Sequence, residues 1–239
     1  MSDRFESRDP AACTRCGGDG FVLDGSGDAI PCECRPVMVR RSRSSGVSSV
    51  IPRRYRGVSF DRPPISELPP NAVRPARRFV ENLERNLSAG RGLWLMGDVG
   101  TGKTSLAMLV SKLALKAGSS VAIYSVPRLL AEIRNTYDSD GGRSYDDLFK
   151  ALVEVDLLHL DDLGAERQTP WVLEQLYCLV NERYEAERSV LVTTNLTWEQ
   201  LEEQVGKRTV SRLTEMTDQI PMFGEDLRER YDPARSALA

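Results

Sequence analysis

The sequence is short of several things. Its 239 residues include one histidine and five cysteines, and no uninterrupted apolar run approaches the roughly 20 residues of a membrane span. A transmembrane helix is therefore excluded by the sequence. The opening MSDRFESRDP lacks the apolar stretch of a signal peptide, so a cytoplasmic protein without membrane attachment is expected. The lone histidine, His159, points inward on an apolar strand and reads as a core residue, not as a catalytic base. Acidic residues are missing from positions 35–60, which carry Arg35, Arg40, Arg41, Arg43, Arg53, Arg54 and Arg56. That stretch reads either as a solvated tether or as an arm for nucleic acid phosphates. The length allows one substantial core plus a small appendage, not two full domains.

What is present is concentrated in a few places. Four of the five cysteines lie in CTRCGGDGFVLDGSGDAIPCECR, as Cys13 and Cys16 in C-x₂-C and Cys32 and Cys34 in C-x-C. In a reducing compartment such a cluster points to metal before disulfides. Four thiolates at this spacing can surround a tetrahedral Zn²⁺; an iron–sulfur cluster and free or redox thiols are the alternatives weighed against it. The segment has few apolar residues, so a bound metal is the means by which it would hold a shape. Cys178 stands alone on a helix and reads as core packing.

The clearest chemistry lies in residues 92–118, GLWLMGDVGTGKTSLAMLVSKLALKAG. Residues 93–96 read as a buried strand, and Leu106, Leu109, Val110 and Leu113 recur at helical spacing. Between them the G-x-x-x-x-G-K-[ST] pattern runs through Gly97, Asp98, Val99, Gly100, Thr101, Gly102, Lys103, Thr104 and Ser105. Its glycines let backbone N–H groups turn toward phosphate oxygens at a helix N-terminus. Lys103 is expected to reach the β and γ phosphates and Thr104 to ligate Mg²⁺. A second apolar run, residues 155–160, ends in Asp161 and Asp162. Asp161 suits Mg²⁺ held through water, and Asp162 suits orientation of an attacking water. A helix cap or turn is the plain alternative for this acidic pair.

Residues 120–125 and 189–195 read as two further strands. Their alternation with helices predicts an α/β fold with a parallel sheet covered on both faces, and ligands at the carboxyl ends of its strands. Asn195 sits at such an end, where its amide can meet the γ-phosphate or serve simply as a turn residue. Strands are expected to stop there. TWEQLEEQV, with a capping box from Thr197 to Gln200, and KRTVSRLTEM predict helices forming a small lid. Residues 126–137 predict an amphipathic helix with Val126, Leu129, Leu130, Ile133 and Tyr137 on one face.

Together these segments resemble the DnaC/DnaI-type helicase loaders, AAA+ ATPases close to the transposition helper IstB. The likeness runs from about residue 51 to 231 and rests on IPRRYRGVSF, GDVGTGKT, LHLDDLG, LYCLVNERYE, VTTNL, GKRTVSRL and GEDLR. It implies an AAA+ P-loop NTPase with a parallel five-stranded sheet, helices on both faces and a small helical lid, to which the four-cysteine zinc module is appended. The implied divisions are 1–38 for a zinc-binding partner-interaction module, 39–57 for a basic linker and 58–239 for the ATPase domain. By the same resemblance Lys103 and Thr104 match the Walker A pair, Asp161 and Asp162 the Walker B pair, and Asn195 the sensor 1 position. Arg212 matches an arginine finger that reaches the ATP of an adjacent subunit. Arg228 matches the sensor 2 arginine, although Leu227 stands where the family has tyrosine. An aspartate at position 162, in place of glutamate, implies slow hydrolysis suited to a switch. The helix at 126–137 resembles the initiator-type insertion that faces single-stranded DNA. The implied partners are a replicative DnaB-type hexameric helicase, single-stranded DNA and further copies of the chain assembled with ATP. An IstB-like transposition helper and a nucleotide-dependent regulator are the rival readings.

Overall fold

The computed structural model describes residues 13–44, 47–137 and 144–227. A small antiparallel hairpin comes first, β1 (Phe21–Leu23) and β2 (Ala29–Pro31), followed by α1 (Arg35–Ser44). One-turn helices at Arg53–Tyr55 and Ile65–Glu67 lead into α2 (Pro70–Glu81) and α3 (Leu83–Ser88). The main body then alternates: β3 (Gly92–Met96), α4 (Lys103–Lys116), β4 (Val121–Ser125), α5 (Val126–Asn135), α6 (Tyr145–Glu154), β5 (Leu157–Asp161), α7 (Pro170–Glu185) and β6 (Ser189–Thr194). It closes with α8 (Trp198–Val205), α9 (Lys207–Met216) and β7 (Thr217–Pro221).

The five main strands stand in the order β4-β5-β6-β3-β7, and every pairing is parallel. Strands buried on both faces must be apolar throughout, and GLWLM, VAIYS and LLHLD are almost wholly buried for that reason. Two clusters cover the sheet. Phe79, Leu106 and Leu109 from α2 and α4 pack on one face with Leu93 and Leu191. Leu129, Leu152, Leu176 and Leu213 from α5, α6, α7 and α9 pack on the other with Trp94 and Val192. Among the described residues no helix is long and apolar enough to cross a membrane.

Two expectations change. Strands do not end at Asn195, because Thr217–Pro221 adds β7 beside β3 in full parallel register. The helices expected after Asn195 are α8 and α9, and the Thr197 capping box is formed. They lie against the sheet, with Leu201, Val205, Val210 and Leu213 buried in its core. The division at 38 and 57 also fails to follow the elements. α1 runs across the first boundary, and beyond it the Ile123 N–H donates to the Ser48 carbonyl at 2.6 Å. The Ser48 N–H donates to the Tyr124 hydroxyl at 2.9 Å, so the chain ahead of residue 57 is fastened to the edge of β4.

Candidate nucleotide site and cysteine cluster

The carboxyl ends of the adjacent strands β5, β6 and β3 carry Asp161, Asn195 and the glycine-rich turn. Gly97, Gly100 and Gly102 hold φ of 139°, 80° and 90°, values that a side chain would strain. A Cβ on Gly97 would sit 2.2 Å from the Met222 carbonyl oxygen, and one on Gly100 1.9 Å from the Asp226 carboxylate. The loop is thus packed from outside by residues 222–227, where the Leu227 N–H donates to the Gly100 carbonyl at 3.1 Å. The Gly224 N–H donates to Asp98 Oδ2 at 3.1 Å.

Lys103 is buried, and its ammonium donates to the Gly97 carbonyl at 2.9 Å and to the Asp98 carbonyl. Thr101 is buried too, its hydroxyl donating to the Asp98 carbonyl at 2.9 Å, while Val99 stands exposed at the crown of the loop. Gly100, Gly102, Lys103, Thr104 and Ser105 line a cleft of about 360 Å³ together with Asp162 and Asn195. Arg54, Tyr55, Val58, Pro64 and Leu227 complete its lining. Motif spacing did not point to those five residues. Arg54, Tyr55 and Val58 fall in the IPRRYRGVSF segment and Leu227 in GEDLR, whereas Pro64 lies in neither.

Asp161 is buried behind the cleft. Burial alone would raise its pKa, but hydrogen bonding and charge from His159 together with hydrogen bonds from the Thr193 and Thr104 hydroxyls hold it below the usual carboxylate range. An ionised Asp161 beside the Thr104 hydroxyl is a donor set that fits Mg²⁺, and a glycine turn with a lysine at a helix N-terminus fits a triphosphate. Asp162 stands with a left-handed φ of 57°, and the Asn195 amide approaches its Oδ1 at 3.5 Å. His159 is a core residue as expected, fully buried with Nδ1 2.9 Å from the Ser111 hydroxyl.

Arg212 is not among the residues that line this cleft. It lies on α9 against α7, donating from Nε to Asn181 Oδ1 at 2.6 Å and from a terminal nitrogen to the Tyr177 hydroxyl at 3.3 Å. The Tyr177 ring centroid is 5.0 Å from its guanidinium carbon. Arg228 lies outside the described residues. Cys178 is half-buried, and burial raises its thiol.

The second site is the cysteine cluster, where Cys13, Cys16, Cys32 and Cys34 place their sulfurs within 4.8 Å of one another. Cys13 and Cys32 are 3.8 Å apart and Cys16 and Cys34 3.3 Å. Four thiolates about 2.3 Å from one Zn²⁺ would be about 3.8 Å apart in a tetrahedron, so the residues fit that ion. Local turns aim them: the Gly17 N–H returns to the Cys13 carbonyl at 2.8 Å, and the Gly20 N–H donates to Cys16 Sγ at 3.3 Å. Burial opposes ionisation of Cys16, yet hydrogen bonds from Cys34 and from the Gly20 and Gly18 N–H groups bring it down to about 6. Backbone N–H groups of Cys16 and Arg15 lower Cys13, whereas Cys34 is raised, chiefly by its bond to Cys16. Thiols this close lower one another's pKa only at a neighbour's expense, and a bound cation would favour the thiolate at all four.

Comparison with known proteins bears on the nucleotide site, since the family match begins beyond the cysteine cluster. The model of the IstB-like ATP binding protein family matches residues 78–232. The replicative helicase loader DnaC of Escherichia coli (strain K12) is 28% identical over 143 residues, 60% of this chain and 57% of that protein. The uncharacterized protein YdaV of the same strain is 35% identical over 118 residues, 49% of this chain and 47% of that protein. The chain thus spans about half the length of the curated relatives it matches. A crystal structure of the DnaC helicase loader superposes with a TM-score of 0.61 at 26% identity, covering 72% of this chain and 99% of that one. AMPPCP-bound DnaA from Aquifex aeolicus shares the fold, with a TM-score of 0.53 at 24% identity over 62% of this chain and 45% of that one.

Proposed function

Since the chain belongs to the IstB-like ATP binding protein family, whose pattern covers well over half of it, we propose that it is an ATP-dependent loader of a replicative hexameric helicase onto single-stranded DNA. The observation that carries this reading is the meeting of Lys103, Thr104, Asp162 and Asn195 in one cleft, with Asp161 directly behind it. ATP and Mg²⁺, when bound, supply the phosphoryl group and the neutralising charge. Lys103 and the N–H groups of the turn hold the phosphates, Thr104 and Asp161 hold the metal, and Asp162 with Asn195 orients water. Asp162 reaches one methylene less far than glutamate, which slows turnover and suits an assembly switch.

Arg212 serves a neighbouring copy. Its guanidinium, spread over Tyr177 and bonded to Asn181, is not among the groups that line its own cleft. An arginine outside its own phosphate site is free to complete that of a neighbouring copy, and the active form is then an ATP-dependent oligomer. Single-stranded DNA has a matching surface near the end of α5. There Tyr137 stacks on Tyr145 at 5.6 Å, Tyr145 stacks on Phe149 at 5.4 Å, and Arg134 lies 4.8 Å over Trp171. Tyr145, Phe149 and Trp171 pack partly buried against the core, so Tyr137, 56% exposed and three residues beyond Arg134, is the ring offered to an unpaired base. The zinc-bound cysteine module grips the helicase.

The test is a pull-down from the source cell with ATP, using the wild type, Lys103→Ala and Arg212→Ala. The wild type is expected to recover a hexameric helicase, Lys103→Ala to lose it, and Arg212→Ala to bind ATP while failing to assemble or turn it over. Recovery of a transposase in place of a helicase overturns the loader in favour of a transposition helper. Unchanged assembly and turnover in Arg212→Ala overturns the shared site.

A further inference from the structure

Thr193, near the end of β6, lies in the VTTNL segment two residues before Asn195, and the motif itself gives it no role. Its side chain is fully buried, and it makes two hydrogen bonds whose directions are fixed by chemistry. Its Oγ1 lies 2.7 Å from Asp161 Oδ1 and 2.9 Å from the Asp162 backbone nitrogen. An ionised carboxylate only accepts and an N–H only donates, so the hydroxyl proton goes to Asp161 and the lone pair receives the Asp162 N–H. One oxygen therefore touches both neighbouring acids.

The sheet explains why a hydroxyl is needed there. β5 and β6 pair in register from Leu157 with Ser189 to Leu160 with Val192, so Thr193 is the next residue after the last paired position. Beyond that rung β5 and β6 part: Asp161 still pairs with Ser125 of β4, and the chain leaves the sheet at Asp162. Asp162 takes a left-handed φ of 57°, a conformation that a residue other than glycine adopts at a cost. The Thr193 hydroxyl catches the N–H of that strained residue, and the Thr193 carbonyl accepts the Leu163 N–H at 2.8 Å on its far side. The turn from Asp161 to Leu163 is thus fastened to β6 by Thr193 at three points and by the Thr194 hydroxyl, which donates to the Leu163 carbonyl at 2.7 Å.

We infer that Thr193 is a positioning residue for ATP turnover, orienting Asp161 toward the metal and holding Asp162 in the backbone conformation that presents its carboxylate beside Asn195. This inference rests on the ATPase reading given above. Residues that orient metal ligands through one hydrogen bond commonly change metal affinity or activity by roughly 10- to 100-fold when removed.

The experiment compares wild type, Thr193→Val and Thr193→Ser. Three quantities are measured: turnover at saturating ATP, affinity for a fluorescent ATP analogue as Mg²⁺ is titrated, and melting temperature. Val keeps the shape and deletes both hydrogen bonds, whereas Ser keeps the hydroxyl. Thr193→Val is expected to lose roughly tenfold or more in kcat and to need roughly tenfold more Mg²⁺, with metal-free nucleotide affinity unchanged. Thr193→Ser is expected to restore both. Should Val prevent folding, Thr193→Ala deletes the same hydroxyl at smaller volume. Wild-type kcat and Mg²⁺ dependence in the folded Val or Ala variant overturns the inference, as does a fall in melting temperature alone. Failure of the wild type to bind nucleotide with Mg²⁺ overturns the ATPase reading and this inference together, so the two failures are told apart by the wild-type arm.

Discussion

Glu166 is buried four residues beyond Asp162, beside the turn that Thr193 fastens. Its Oε2 accepts the Gly164 N–H at 2.9 Å, while Oε1 is buried without a hydrogen-bond partner. Burial outweighs the backbone hydrogen bonds and raises its carboxyl above the ordinary glutamate value of 4.5. The raised pKa means that folding disfavours the ionised form. That penalty is absent below pH 4.5, grows as pH rises toward the folded-state pKa, and is complete above it. Glu166→Gln, which keeps the shape and removes the charge, is expected to melt a few degrees higher than wild type at about pH 7.5, with the difference closing below about pH 4.5. Melting curves across pH check this, and a difference independent of pH removes the buried-charge explanation. At this scale Lys103, Thr104 and Asp161 were legible because contiguous motifs carry them. The hold of Thr193 on both acids was not, since it joins residues far apart in the chain and composition does not record such pairings.

Among the elements, the join between α6, α7 and β6 depends on one side chain. Arg183 of α7 is fully buried and donates to the carbonyls of Leu152, Val153, Val155 and Ser189 at 2.6, 3.0, 3.0 and 2.6 Å. Three of these carbonyls close the C-terminal end of α6, where a helix leaves its acceptors without internal partners. Burial, reinforced by the like charge of Arg188, brings the Arg183 pKa down to about 9. Arg183→Met preserves much of the apolar stem but strands four buried acceptors, and a loss of about 3–5 kcal/mol is expected. Urea denaturation measures it, and a loss below about 1 kcal/mol would mean that water takes over the carbonyls. The strands with apolar runs were readable in the sequence for the physical reason that both their faces are covered. β7 was not. Only Thr217 and Ile220 of its five residues are buried, and Asp218, Gln219 and Pro221 give it the polar character of a protected sheet edge.

At the scale of the whole chain, the cysteine module and the nucleotide cleft are joined by a segment that touches both bodies. α1 follows Cys34 directly, and residues 47–58 run from the edge of β4 to the cleft wall formed by Arg54, Tyr55 and Val58. The basic composition of that stretch suggested a tether, because arginines on an exposed surface look the same whether or not the backbone beneath them is fastened. Among the described residues the module lacks a core: Phe21, Leu23 and Ile30 of its hairpin are 43%, 73% and 41% exposed, and Cys32 is buried. With so little apolar burial, the proposed metal is the term that would hold its fold. Purified protein is therefore expected to carry about one zinc per chain by metal analysis. Cys13→Ser is expected to lose most of it together with helicase capture, while keeping nucleotide affinity and the main melting transition, because the sheet has its own core. Unchanged zinc content would remove Cys13 from the ligand set. Loss of zinc with helicase capture intact would separate metal binding from partner binding and move the grip to another surface.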